Sequence, residues 1–349
     1  IFRAFFIPTL FCNMKKKKLI LLLVLIAFSC KKDDIETTTV STTKYSIAGT
    51  KLLLDQHPMQ LIGTNAFHVF GVGSTDMNAW KLDIIREFIG NTKETPLTGS
   101  PIKDATGAYL YSLENIIADN RINKRVTIIC AFGWDGTQNT AFTGKSPQQT
   151  NWWKEYKTRL KEWATYLKDQ PDVWIEVWNE PYRYDRTDGY TDQVWLQDMN
   201  ELVAIIRSTG NKNIVVVPCA EQGQDESVLL NKGNDFLNGK SNILFDIHAY
   251  EKWLLDSNNS VENRLNELRN KNIPIFIGET APMNAGVLMN PKPFLDLVYE
   301  KGLSVCAWVW KKEANDKDAL LTENGLVNDN NNNNWGTTFK DLTNRSRKP

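Results

Sequence analysis

From Tyr45 onward the chain alternates short runs of β-branched and aromatic residues with longer segments whose apolar positions recur every three or four residues. Eight of the short runs read as strands: 60–65, 83–88, 125–131, 173–178, 213–218, 243–248, 273–278 and 303–308. Between them lie amphipathic helices. Trp152, Trp153, Tyr156, Leu160, Trp163 and Leu167 share one helical face, and Trp195, Leu202, Ile205 and Ile206 share another that ends before Gly210. Ser260 is the expected N-cap of a helix carrying Val261, Leu265 and Leu268. Gly302 stands where a helix beginning near Pro293 needs a left-handed residue at its C-terminal end. Eight strand–helix units in a segment of this length predict an α/β fold, the (β/α)8 TIM barrel, which typically takes about 250 residues. Neither GxGxxG nor GxxxxGK[ST] occurs, which disfavours a doubly wound nucleotide-binding sheet.

The pattern before Tyr45 is different in kind. Met14 is followed by four lysines, ten apolar residues from Leu19 to Phe28, then Ser29 and Cys30. This is the order of a signal peptide: basic region, apolar core, small residue before the cut. Ten apolar residues span about 15 Å as a helix, half of a ~30 Å hydrocarbon core, so a mature membrane span is not expected. A cysteine directly after the small residue looks like a bacterial lipoprotein signal, with Cys30 the lipidated first residue. Residues 1–13 then read as translated upstream sequence, residues 30–44 as a lipidated cysteine on a polar tether, and residues 45–349 as the barrel. The expected protein is exported and lipid-anchored to the bacterial envelope, with the membrane as one partner.

Charge follows from that division. The whole chain has 41 Lys+Arg and 41 Asp+Glu; removing residues 1–29 takes away Arg3 and four lysines and leaves the remainder mildly acidic. No basic excess exists to capture a phosphate backbone, so nucleic acid is not an expected partner. With 12 Trp, 15 Phe and 10 Tyr the chain can bury a large core and is not disordered. Cys130, Cys219 and Cys306 are far apart in apolar runs and read as buried free thiols. The three histidines, His57, His68 and His248, lie in no HExxH or nucleophile-elbow motif. The chemistry therefore falls to carboxylates, with no metal or organic cofactor expected.

In a TIM barrel the reacting groups stand where strands end. The fourth strand runs out as WIEVWNEP and the seventh as IPIFIGET, so Glu180 and Glu279 close two hydrophobic strands on different sides of the barrel mouth. Opposed carboxylates are what glycosidic cleavage requires, one protonated to release the leaving oxygen and one ionised to attack or to activate water. The plain alternative for either glutamate is an exposed residue capping a strand.

These strings also carry a family likeness. WIEVWNEPY resembles the acid/base strand of glycoside hydrolase family 5, the cellulase and mannanase family; IPIFIGE resembles its nucleophile strand, FDIHAY its sixth strand and CAWVW its eighth. The resemblance covers most of residues 45–342. It implies Glu180 as general acid/base, Glu279 as nucleophile, Asn179 on the sugar 2-hydroxyl, His248 and Tyr250 as the family's His-x-Tyr, Arg86 as the second-strand arginine beside the nucleophile, and Trp308 as the eighth-strand platform. A helix-surface place for Arg86 is the alternative. Glu176, inside the fourth strand, reads as a buried partner for a cation. Arg86 and Tyr250 are expected to lower the pKa of Glu279, whose charge in turn keeps Glu180 protonated.

Trp134, Trp178, Trp253 and Trp310 are further candidates for stacking on sugar rings, Trp310 because alternation puts it on the face of Trp308. Glu221, Glu226 and Glu251 read as loop residues or sugar contacts. One departure stands out: many family members carry a histidine at the end of the third strand, where this chain has Phe132, Gly133, Trp134 and Asp135. His68, just after the first strand, is placed either to reach that subsite or to serve structurally. The Asn-rich run 328–334 reads as a polar loop. The expected protein is a monomeric, endo-acting, retaining β-glycoside hydrolase acting on a β-1,4-linked polysaccharide, mannan or cellulose-type glucan, with its two carboxyl groups about 5 Å apart. The rival from another class is a lipid-anchored barrel that binds glycan without cleaving it.

Overall fold

The computed structural model describes residues 45–311 and 316–349. The expected leader, Cys30 and the tether lie outside the described residues. All eight expected strands are present as β1 (Ile62–Ala66), β2 (Ile84–Ile89), β3 (Val126–Ala131), β4 (Val173–Glu176), β5 (Val215–Pro218), β6 (Ile243–Ala249), β7 (Ile275–Thr280) and β8 (Val305–Ala307). Each pairs in parallel with its sequence neighbours, and β8 pairs back onto β1, closing the barrel. The outer ring includes α1 (Leu113–Ile122), α2 (Trp153–Leu167), α3 (Asp192–Ser208), α4 (Ser227–Leu237), α5 (Asn258–Asn270), α6 (Lys292–Glu300) and α7 (Trp335–Asn344). Between β1 and β2 the connection carries two 3-10 turns, His68–Phe70 and Thr75–Trp80. Among the described residues no helix is long and apolar enough to cross a membrane.

Alternation along each strand sorts side chains into two cores. Outward residues such as Ile85, Ile129, Ile175, Val217, Phe245 and Ile277 pack under the helices. Inward residues Ile84, Val126, Ile128, Trp174, Val216, Leu244, Phe276 and Cys306 fill the lower barrel. Its floor is sealed by an antiparallel sheet that the sequence pattern did not separate from the barrel: Tyr45–Ala48, Lys51–Leu54 and His57–Pro58. Leu52 belongs to that lower core, and the Tyr45 ring meets Trp174 edge-on at 5.6 Å. His57 sits exposed in this sheet.

The helix ends differ from expectation in one place. Ser257, not Ser260, caps α5, its hydroxyl accepting from the Ser260 amide. The three-residue spacing is that of an N-cap and its partner, and Asn258 and Asn259 enter the first turn. Gly302 takes the left-handed conformation just beyond α6, with φ of 68°. The Asn-rich run is more than a polar loop: Asn331, Asn333 and Asn334 adopt left-handed backbone, which asparagine tolerates better than other side chains. Buried Asn332 donates to the Asn328 and Lys317 carbonyls and accepts from the Trp335 amide, launching α7.

Trp174 is fully buried between the floor sheet and the lower barrel. Trp174→Ala is expected to lower the unfolding free energy by about 3–5 kcal/mol, read by urea denaturation.

Candidate active site

Above the apolar lower barrel the inward positions turn polar: Asn65 on β1, Arg86 on β2, Cys130 on β3, Glu176 on β4, Asp246 and His248 on β6, and Glu279 on β7. Arg86 is fully buried at their centre. Its Nε and Nη2 donate to the two oxygens of Glu176 at 2.5 and 2.6 Å, and Nη1 donates to Glu279 Oε1 at 2.6 Å and Asn65 Oδ1 at 3.0 Å. Nη2 also reaches Asn179 Oδ1 at 3.0 Å. A buried cation is tolerable only with this degree of pairing. The helix-surface alternative for Arg86 is thereby excluded, and Glu176 is the cation partner its place in the strand suggested. Cys130 lies 3.4 Å from Arg86, but burial pushes its thiol well up.

Glu279 owes its direction to a β-bulge. Ile277 pairs with Ile247 and Glu279 with His248, so Gly278 is an extra residue in β7. Without it, Phe276 pointing inward would leave the glutamate pointing out. The Gly278 amide finds its acceptor in Asp246 Oδ1 at 2.6 Å, and its carbonyl accepts from Asn65. A Cβ at position 278 would stand 2.1 Å from the Asp246 carboxylate, so only glycine fits.

Both oxygens of Glu279 are held: Tyr250 donates its hydroxyl to Oε2 at 2.8 Å, opposite the Arg86 contact on Oε1. Across the mouth, Glu180 follows β4 by four residues. The ladder of β4 ends at Glu176, shorter than expected, because the chain leaves the sheet after Val177 donates to the Val216 carbonyl. Glu180 has left-handed backbone, φ 48°, fixed by the Gly144 amide donating to its carbonyl. For a residue with a side chain this conformation costs about 1 kcal/mol and is typical of functional sites. Glu180 keeps 15 % of its side chain exposed against 5 % for Glu279. A carboxylate oxygen of each lies within 4.8 Å of the other, with a His248 ring nitrogen in the same group. His248 Nδ1 is 2.9 Å from Glu180 Oε1 and 3.5 Å from Glu279 Oε2, and Nε2 is 3.2 Å from Asp246 Oδ2.

The electrostatics depart from expectation at Glu279. Burial pushes its pKa up, aided by the Glu180 charge, and His248, Arg86 and the Tyr250 hydrogen bond, all acting downward, do not fully offset the two. Burial likewise raises Glu176 to about 7. Burial would make His248 neutral, but Glu279, Asp246 and Glu180 around the ring outweigh it and hold the pKa well above the usual histidine value. Tyr250 remains a phenol, raised by burial and by the Glu279 charge. Among the described residues two sets of groups have a metal-like spacing, Glu176 with Asp246 and His248, and Glu180 with His248 and Glu279. In both, His248 is already engaged with carboxylates, and Arg86 supplies positive charge to the first.

The family profile described as Cellulase (glycosyl hydrolase family 5) matches residues 58–314. The chain belongs to that family. It is 22 % identical over 259 residues to a protein of Caldicellulosiruptor saccharolyticus named Beta-mannanase/endoglucanase A, covering 72 % of this chain and 18 % of that one. It is also 22 % identical over 200 residues to Mannan endo-1,4-beta-mannosidase of Salipaludibacillus agaradhaerens, covering 57 % and 60 %. The chain thus spans less than two thirds of either relative's length. Among solved structures, the beta-mannanase of Streptomyces thermolilacinus superposes with a TM-score of 0.64 at 16 % identity, over 87 % of this chain and 98 % of that one. That likeness speaks for the barrel alone.

In this family 5 chain, the sequence candidates Arg86, Asn179, Glu180, His248, Tyr250 and Glu279 meet at one point. Trp308 stands beside them, half-buried, its ring edge-on to Phe67 and Phe88 at 5.8 and 5.0 Å. Trp310 does not share its face: β8 ends at Ala307, alternation stops, and Trp310 packs in the outer core against Trp80 at 5.2 Å. Trp134 is 9 % exposed and Trp178 and Trp253 are fully buried, so all three are core. His68 turns away from the mouth to Glu87 at 2.8 Å. Glu221 pairs with Arg186 and Lys252, and Glu226 with Arg264. Sequence reasoning missed Asn65 and Asp246; the signal for Asp246 was its place two residues before His248, hence on the same inward face.

Below pH 4.5 folded and unfolded chains both protonate Glu176; between 4.5 and about 7 the unfolded chain releases that proton while the folded one keeps it. This contribution to stability is therefore complete at low pH and lost as pH rises through the window. Glu176→Gln is expected to flatten that part of the stability–pH curve, measured by urea unfolding at a series of pH values.

Proposed function

We propose that this chain is an endo-acting, retaining β-glycoside hydrolase that cleaves a β-1,4-linked polysaccharide, mannan or cellulose-type glucan. The observation that carries the reading is the approach of Glu180 and Glu279 oxygens to within 4.8 Å. Retention by double displacement uses carboxyl groups about 5–5.5 Å apart, whereas inversion leaves about 6.5–9.5 Å for a water. Family membership and the mannanase names of the curated relatives support the substrate class.

In the first step Glu279 attacks the anomeric carbon while Glu180 gives its proton to the departing glycosidic oxygen. In the second, Glu180 takes a proton from water, which displaces Glu279 from the sugar. Arg86 and Tyr250 hold one oxygen of Glu279 each, so the nucleophile meets the sugar without searching rotamers. Asn179, pinned between Arg86 and Thr143, presents its amide edge to the 2-hydroxyl. Trp308 offers a broad apolar face to a pyranose ring. The protein works as a monomer, exported and attached to the bacterial envelope through Cys30.

Replacing Glu279 by Ala is expected to reduce turnover by at least about 10^4-fold, with azide restoring part of it as the external nucleophile. Normal hydrolysis by that variant refutes the nucleophile assignment. Reducing-sugar release on mannan, glucan, xyloglucan and xylan identifies the polymer; binding without release on all of them favours the non-cleaving barrel instead.

A further inference from the structure

Asp246 is fully buried and lies outside the set of groups assigned to the reaction. Its two oxygens do different work. Oδ1 takes the amide of bulged Gly278, the residue immediately before Glu279, at 2.6 Å; Oδ2 faces His248 Nε2 at 3.2 Å and stands 3.6 Å from Arg86 Nε. The other ring nitrogen of that histidine faces Glu180 at 2.9 Å and Glu279 at 3.5 Å. We propose that Asp246 is a positioning residue for both glutamates: it secures the bulge that aims Glu279 and fixes the proton on His248 Nε2, so that the imidazole stands as a cation between the two carboxyl groups. The inference deepens the glycosidase reading and rests on it for its kinetic consequence only.

The charges around the ring come from four strands and their exits. Glu176 is on β4 and Glu180 follows it; Glu279 is on β7, Arg86 on β2, and Asp246 and Tyr250 belong to the histidine's own strand and its exit. Cys219, after β5, shares with the His248 amide the Gly223 carbonyl as acceptor. Three of the carboxylates contact the ring directly, which favours the doubly protonated form despite full burial. Asp246→Asn keeps a carbonyl for the Gly278 amide but turns an N–H toward Nε2. The ring then carries its proton on Nδ1 and becomes neutral. Glu279 loses the cation that acts downward on its pKa and holds its proton to higher pH. The negative charge removed from position 246 acts in the opposite sense, but from the far side of the ring, so the nearer loss wins.

The test is Asp246→Asn in the full chain, read in two ways. Nitrogen-15 NMR of the imidazoles is tractable because the chain has only three histidines. His248 is expected to carry both ring protons at neutral pH in the wild type and only the Nδ1 proton in the variant. In parallel, the pH profiles of kcat and kcat/KM on the soluble polysaccharide should move up by about one pH unit, with KM changed less than about twofold. A His248 ring in the same protonation state in both proteins, or a fall in kcat with an unmoved profile, overturns the proposal. So does a neutral His248 in the wild type, an arm that does not require the variant to fold. If the wild type cleaves no glycan, it is the glycosidase reading that fails, and the NMR result alone decides the role of Asp246.

Discussion

The upper half of this barrel is organised around one buried guanidinium. Arg86 reaches from β2 to Asn65 on β1, Cys130 on β3, Glu176 on β4, Asn179 beyond it and Glu279 on β7, and its flat face lies over the Phe88 ring at 4.6 Å. An ion in that position is held against a large desolvation penalty by several charge-assisted hydrogen bonds at once. Lysine, a point charge with three donors, has no geometry that serves all these partners. The same penalty acts on the carboxylates. Burial drives Glu176 and Glu279 toward the neutral form, and the cationic groups beside them work against it. The site is a balance of few charges in little water, and each proton in it depends on the others.

Geometry and electrostatics meet at the strand ends because the regular ladder is broken there in two ways. On β7 an inserted glycine turns the following residue inward. After β4 the chain leaves the sheet and reaches Glu180 in a left-handed conformation. Regular strands alone would set the two glutamates by alternation; these irregularities set them toward each other. An aromatic group of Phe67, Phe88, Phe132 and Trp308 fills the neighbouring part of the mouth, with ring centres about 5–6 Å apart.

The barrel was legible in the sequence because its signal is repeated eight times: each strand is a short apolar run, and each helix has a readable face. Glu180 and Glu279 were legible because they end such runs, and Arg86 because of its family context. What stayed hidden depends on contacts between distant segments. Alternation made Trp310 look like a partner of Trp308, since nothing in the string shows that β8 ends at Ala307. Trp134 is indistinguishable in sequence from a rim tryptophan, and only packing shows it as core. The expectation that Glu279 would titrate low counted its partners and left out its burial, which acts more strongly. The floor sheet escaped because its strands are only two to four residues long.

The fit between Gly278 and Asp246 has a bearing on how this sequence can drift. A methyl group at 278 and a carboxylate at 246 cannot occupy the same space. Evolution can therefore change the two positions only in a fixed order: the side chain at 246 must shrink before the one at 278 can grow. The first of those changes strands the buried Gly278 amide, which costs the intermediate about 1–3 kcal/mol of stability. Two positions 32 residues apart are thus locked to each other sterically, and any route that enlarges the first runs through a chain with an unsatisfied buried amide.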